Sequence, residues 1–402
     1  MPDADGAIAE LERRLARYPE QTYPVQHATA QFHLGVALTT EGRLEDAETA
    51  LTAALRGFGA DALSVERAKV RNALGAMLRL AGRFDEAAEA FEAAGLAPDH
   101  GAARYNLGLV RRELGDAAAA EQAFERAAKL LEGARLREQA GGALRELGTT
   151  RFVAGKLEEA VEPLERAAWL AEQARDEPAR GGAANVLGLV HLAAGRPERA
   201  VDAFLSALTA HPRSIRADGY ALVKGNLALA HEQLGDAPRA RLASRQALGV
   251  PAAPDPVRVQ AEELLERLGD EPGDVHRVLD AEPQERWVAT VREELARWVD
   301  LDARERQTEA AAWIEGQLAR PDAGTDLAEA WIHALLELPP RHLEGLVSSL
   351  LEALAARDDE DREQFRSNFS LAMGRLHVPQ LMRLGEVFNR ISRQLDQPEG
   401  WI

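Results

Sequence analysis

The chain has 402 residues, 66 acidic against 48 basic side chains for a net charge of −18, and no cysteine. That balance excludes a general nucleic-acid binder, which needs basic patches to neutralise phosphates. The missing thiols exclude disulfides and thiolate metal sites and point to a reducing compartment. The length suits two or three domains. No apolar run approaches the ~18 residues of a membrane span, and MPDADGAIAELERRL lacks the basic start and apolar stretch of a signal peptide; the expectation is a soluble, cytoplasmic protein. Only four of the 48 basic residues are lysines (Lys69, Lys129, Lys156 and Lys224), which with the abundant alanine points to a bacterial genome of high GC content.

In chain order, residues 6–18 read as a short amphipathic capping helix and Thr22–Gln26 as punctuation. Six copies of one pattern follow, anchored at Gly35, Gly75, Gly108, Gly148, Gly188 and Ala228. A second glycine stands seven residues after each anchor, at Gly42, Gly82, Gly115, Gly155, Gly195 and Gly235. Twelve residues on come Ala47, Ala87, Ala120, Ala160, Ala200 and Ala240, and nineteen on Ala54, Ala94, Ala127, Ala167, Ala207 and Ala247. A bulky residue sixteen on fails only at Ser244. Apolar residues at three- and four-residue intervals on both sides of the second glycine make each copy a helical hairpin. The hairpins are expected at 27–57, 62–94, 101–131, 135–174, 178–210 and 215–249. A single hairpin cannot bury its apolar face, so the copies must stack, each touching mainly its neighbours.

Leu-Gly, Gly, Ala, Phe or Leu, and Ala at these offsets resemble the tetratricopeptide repeat over roughly residues 27–250. The family period is about 34 residues, whereas the anchors here lie 40 apart except for a step of 33 from Gly75 to Gly108. This is similar to the long-helix variety of the family. The segment Gly95–Gly101, GLAPDHG, lies in the short step, and a change of pitch is expected there. The sixth copy is degraded, as a terminal repeat would be.

The run Val250–Pro256, VPAAPDP, cannot continue a helix and marks the domain boundary. Beyond it the anchors are gone, but helical spacing persists near 256–268, 284–299, 302–318, 325–336, 340–356, 360–376 and 378–394. Residues 257–402 therefore read as a second all-α domain. Trp287, Trp298, Trp313, Trp331 and Trp401 fall in it and read as core. Residues 255–363 carry 28 acids and 12 arginines, and residues 364–402 five arginines against three acids. Asp358–Asp361 supplies a cap and a negative first turn for the helix that follows. Exposed linkers at Val250–Pro256 and Asp270–Asp274 are the expected sites of first proteolysis.

No catalytic motif survives inspection. Gly148–Leu157 has the wrong glycine spacing for a phosphate loop, and His231-Glu232 is followed by a turn glycine where a zinc helix needs histidine. No cofactor, metal or enzymatic activity is expected.

The fold class is all-α: a superhelical solenoid of six hairpins followed by a helical domain. The resemblance implies a protein-interaction scaffold whose first helices line a concave groove. Residues three before, one after and four after each anchor share a helical face. Its binding candidates are Asn72, Arg79, Tyr105, Arg112, Arg145, Phe152, Asn185 and Leu192. The lysine and asparagine pattern by which some family members clamp a chaperone's tail is not reproduced. The partner expected is a protein or peptide, acidic in character, or this chain's own region 255–363; neither nucleic acid nor membrane is expected. Two other readings stay open: a regulatory subunit or enzyme whose C-terminal domain carries the activity, and the sensor arm of a bacterial signalling system.

Overall fold

The computed structural model describes residues 4–59, 64–94, 101–251, 253–269 and 273–401. Among them it contains twenty-one α-helices, three short 3-10 helices and no strand. The chain divides into two compact units, Met1–Ala194 and Gly195–Ile402.

The first unit opens with α1 (Ala4–Arg17) and continues as antiparallel pairs. These are α2 (Pro24–Thr40) with α3 (Leu44–Gly57), α4 (Ser64–Leu80) with α5 (Phe84–Ala94), α6 (Gly101–Glu113) with α7 (Ala117–Gly133), and α8 (Arg137–Val153) with α9 (Leu157–Ala174), followed by α10 (Glu177–Ala193). The glycine between the helices of a pair is fixed by its backbone: φ is +75° at Gly42, +73° at Gly82, +80° at Gly115 and +75° at Gly155. The residue after it donates its N–H back to the last turn, Arg43 to Leu38, Arg83 to Leu78, Asp116 to Arg111 and Lys156 to Arg151, each at 2.9 Å. This is the Schellman closure, which needs a left-handed residue.

The anchor glycines have a different cause. A β-carbon at Gly35 would lie 2.5 Å from Leu51 Cγ, at Gly75 2.7 Å from Phe91, at Gly108 2.6 Å from Phe124, and at Gly148 2.5 Å from Leu164 Cγ. Anchor and bulky residue are thus one contact, in which the second helix lays its largest side chain on bare backbone of the first. The alanines twelve on, Ala47, Ala87, Ala120 and Ala160, are all 0% exposed. The change of pitch expected at 95–101 falls on residues 95–100, outside the described residues.

The second unit comprises α11 (Pro197–Ala210), α12 (Ala217–Gln233), α13 (Ala237–Leu248), α14 (Asp255–Leu268), α15 (Asp274–Asp280), α16 (Trp287–Asp300), α17 (Ala303–Leu318), α18 (Gly324–Glu337), α19 (Leu343–Ala355), α20 (Asp359–Met373) and α21 (Val378–Gln394). Its core gathers Trp298, Trp313, Trp331 and Trp401 with Phe365, Phe369 and Phe388, each no more than 2% exposed. Trp287 is half-buried, and its indole N–H donates to Leu279 O at 3.0 Å and Glu282 O at 3.2 Å.

The sixth copy departs from the pattern because α14, α15 and α16 cover it. Ala228, Ala240 and Ala243 pack with Leu264 of α14, and Tyr220, Ala221 and Ala247 pack with Val250, Ala253 and Val257. Val250–Pro256 is therefore no free linker, since Val250 and Ala253 are buried. Of the loop expected at Asp270–Asp274, residues 270–272 lie outside the described residues, and its end needs correction. Asp274 begins α15, is 1% exposed, and accepts two bonds from Arg241 at 2.9 and 2.7 Å, one from Arg245 at 2.9 Å and one from Arg277 at 3.3 Å. Beside it, Gln246 donates to Glu294 at 2.9 Å, and Arg297 bonds both Glu294 and Glu309. Asp358 caps α20 as expected, accepting from Asp361 N at 2.9 Å.

Candidate peptide-binding face

The first helices of the first unit, α4, α6, α8 and α10, carry all eight candidate residues. On α4 and α6, Asn106 Nδ2 donates to Asn72 Oδ1 at 3.0 Å, and Arg79 Nη1 donates to Glu113 Oε1 at 3.0 Å. Between α6 and α8, Arg112 Nη1 donates to Glu146 Oε2 at 2.5 Å, while Arg145 Nη2 takes the other oxygen of the same carboxylate at 3.1 Å. Tyr105 sits among these groups with its ring edge-on to Phe124 at 5.8 Å, and the Arg112 guanidinium lies 6.0 Å from the same Phe124 ring. Burial pushes the Tyr105 phenol up, Glu146 adds to this, and Arg145, Arg112 and Arg79 oppose it. The phenol therefore feels all three arginines at once. In this group three guanidiniums face two carboxylates, and Glu146 is shared.

The remaining candidates stand apart. Phe152 is partly buried against Ala160, Leu164 and Val190, Asn185 is 8% exposed, and Leu192 is half-buried. The structure thus brings together Asn72, Arg79, Tyr105, Arg112 and Arg145, while Phe152 is half-buried against other side chains and Asn185 is buried.

Sequence reasoning missed Asn106, Glu113 and Glu146. A signal for them was present: each of the three cross-helix pairs, Asn72–Asn106, Arg79–Glu113 and Arg112–Glu146, is separated by 34 residues. The separation holds although the anchors step by 33 and then by 40. Seven residues are close to two helical turns, so Glu113, five after its anchor, and Glu146, two before its own, occupy the same face.

Residues 3–63, 41–100, 78–134 and 166–215 match the sequence profile of the tetratricopeptide repeat family. No curated protein matches the chain. Among solved structures, BtubC (BKLC) from P. vanneervenii is 19% identical with a TM-score of 0.47, covering 52% of this chain and 91% of that one. YrrB, a tetratricopeptide repeat protein with an unusual peptide-binding site, is 21% identical with a TM-score of 0.38, covering 52% of this chain and 95% of its own. The Cut9-Hcn1 hetero-tetramer of the APC/C gives 17% identity and a TM-score of 0.46 over 67% of this chain and 46% of that one. Among the described residues no helix is long and apolar enough to cross a membrane.

Proposed function

The chain is a tetratricopeptide repeat protein, and from that premise we propose that the face shared by α4, α6 and α8 holds an acidic segment of a partner protein. The observation that carries this reading is the group around Tyr105, where three arginines face two carboxylates and Glu146 serves both Arg112 and Arg145. A carboxylate from a partner supplies the acceptor that Glu146 divides, and the half-buried Tyr105 ring supplies an apolar floor. A charge-assisted hydrogen bond of this kind contributes about 1.5–3 kcal/mol when well made. In this reading recognition belongs to the repeats of the first unit, Met1–Ala194, which hold all three arginines.

The test is a peptide array probed with the labelled full chain, followed by titration of the retained peptides. The retained sequences are expected to be rich in aspartate and glutamate. The combined Arg79→Glu, Arg112→Glu, Arg145→Glu chain is expected to lose at least about a hundredfold in affinity, equivalent to two bonds at about 1.4 kcal/mol per tenfold. Unchanged affinity beside an unchanged circular-dichroism melt removes the arginines from recognition.

A further inference from the structure

Residues 371–382, LAMGRLHVPQLM, run from the end of α20 through the turn at 374–377 into the start of α21, and they hold more apolar side chains than the core takes in. Ala372, Met373 and Leu376 are buried. Leu371, Val378 and Met382 are instead 60%, 70% and 61% exposed. Among the described residues of α14 to α21, Val259 is the one other large apolar side chain left so exposed. Single exposed apolar residues are ordinary, but three within one short stretch mark a contact surface.

Charge selects what covers that surface. The chain carries −18 overall, and residues 255–363 hold 28 acids against 12 arginines, so most of the second unit repels a second copy of itself. Residues 364–402 reverse the balance, with five arginines and three acids. The acidic first turn of α20, with Asp359, Glu360 and Asp361, stands at the far end of that helix, roughly 15 Å from Leu371. On α21, Val378, Met382 and Glu386 lie four residues apart along one side of the helix, with Arg383 beside them. Arg383 and Glu386 are both exposed, and no ion pair joins either to another described residue. The cations further along the helix are engaged, Arg390 with Glu344 at 2.6 Å and Arg393 with Glu399 at 3.4 Å. An unpaired cation and an unpaired anion beside an apolar patch suit a self-complementary surface. A two-fold axis brings the first residue of one copy to the second of the other, and the second to the first.

We propose that this surface joins two copies of the chain about a two-fold axis beside Met382. Leu371, Val378 and Met382 of each copy cover those of the other, and Arg383 of each meets Glu386 of the other. A partner of different sequence would have to match the apolar patch and both charges separately, whereas a second copy matches them by symmetry. The association uses no residue of the arginine face in the first unit.

Sedimentation velocity of the full chain tests it. Small interfaces bind weakly, so a monomer–dimer equilibrium with a dissociation constant on the order of 10–100 μM is expected. Met382→Asp should weaken it at least tenfold. Arg383→Glu leaves each copy acidic at both positions and Glu386→Arg leaves it basic at both, so either variant alone should dimerise at least tenfold more weakly. Mixed together, the two should associate at least as tightly as the unmodified chain, since both pairs are then opposite in charge. The substituted side chains are exposed, so circular-dichroism melts of all three variants should match that of the unmodified chain. An unmodified chain that stays monomeric at about 300 μM, several times the expected constant, overturns the proposal without recourse to any variant. So does a dimer that survives Met382→Asp, or a mixture that associates no better than its two parts.

Discussion

A β-carbon at Gly148 would meet Leu164 Cγ at 2.5 Å, so Gly148→Ala is expected to destabilise the chain by about 1–3 kcal/mol through overpacking. Exposed Glu159→Ala should change stability by less than about 0.5 kcal/mol, and urea denaturation of both variants measures the contrast. Arg135 and Arg175 end α7 and α9 with φ of +62° and +58°, a region that costs a side-chain-bearing residue roughly 1–2 kcal/mol. Each Arg→Gly change is therefore expected to raise stability, by about 0.5–1 kcal/mol once the greater freedom of glycine in the unfolded chain is subtracted; a fall in the urea midpoint would show that the arginine side chains make up for the strain. His276 acts in the opposite sense. It is 1% exposed and lies 4.5 Å from the Trp313 ring, and burial, with a smaller push from Arg320, lowers its pKa from 6.5 to about 3. Between those values the unfolded chain binds a proton that the folded chain refuses. Stability is thus fully present above pH 6.5 and falls as pH drops toward 3, by about 1.4 kcal/mol per pH unit. His276→Leu should flatten that slope in urea midpoints taken between pH 7.5 and 4.5.

At the scale of helices, what was legible in the sequence is what repeats. The glycine at each turn and the glycine beneath each bulky side chain recur because the same backbone event recurs, and α2 to α13 follow from them. The sixth pair shows the rule from its other side: Ala228 and Ser244, both 0% exposed, add a methyl to the anchor and remove bulk from its opposite number. What the sequence hid is contact made once. Asp274 looks like loop chemistry beside Gly273, and nothing local reveals that Arg241 and Arg245, 33 and 29 residues earlier, close on it. The seven-residue α15 is too short to display a period of its own. For the binding face, the arginines were visible at their repeat positions, while the burial of Asn185 was not, since neighbouring helices decide it. Asp274→Ala removes the buried carboxylate that Arg241 and Arg245 share and is expected to cost about 3–5 kcal/mol. Raising NaCl to 1 M should leave that loss nearly unchanged, because buried pairs are little screened; a loss that disappears in salt would place the cluster in solvent.

On the scale of the whole chain, the two units are held together differently. The first has apolar clusters strung along successive pairs, and the second has two small clusters around α12 to α14 beside one large one that takes in Leu242 and runs from Val275 to Trp401. Nearest-neighbour arrays lose structure progressively, whereas a single core goes at once. Five of six tryptophans lie in residues 255–402, so fluorescence follows the second unit while far-ultraviolet circular dichroism follows all helices. The two signals are expected to trace separate urea transitions, the fluorescence one the steeper; superimposable curves would mean the chain unfolds as one body. The 34-residue pairing that survives steps of 33 and 40 also sets a rule for the gene. Seven residues turn a helix by about 700°, within about 20° of two full turns, whereas five leave it roughly 140° out of phase. In-frame insertions or deletions of 21 base pairs in a second helix should therefore keep the same face of the next first helix turned to its neighbour, with a residue seven along that face now standing 34 on. Those of 15 should turn another face, so the coding sequence can change this array in sevens while the residues along one face decide whether an arginine still meets a glutamate.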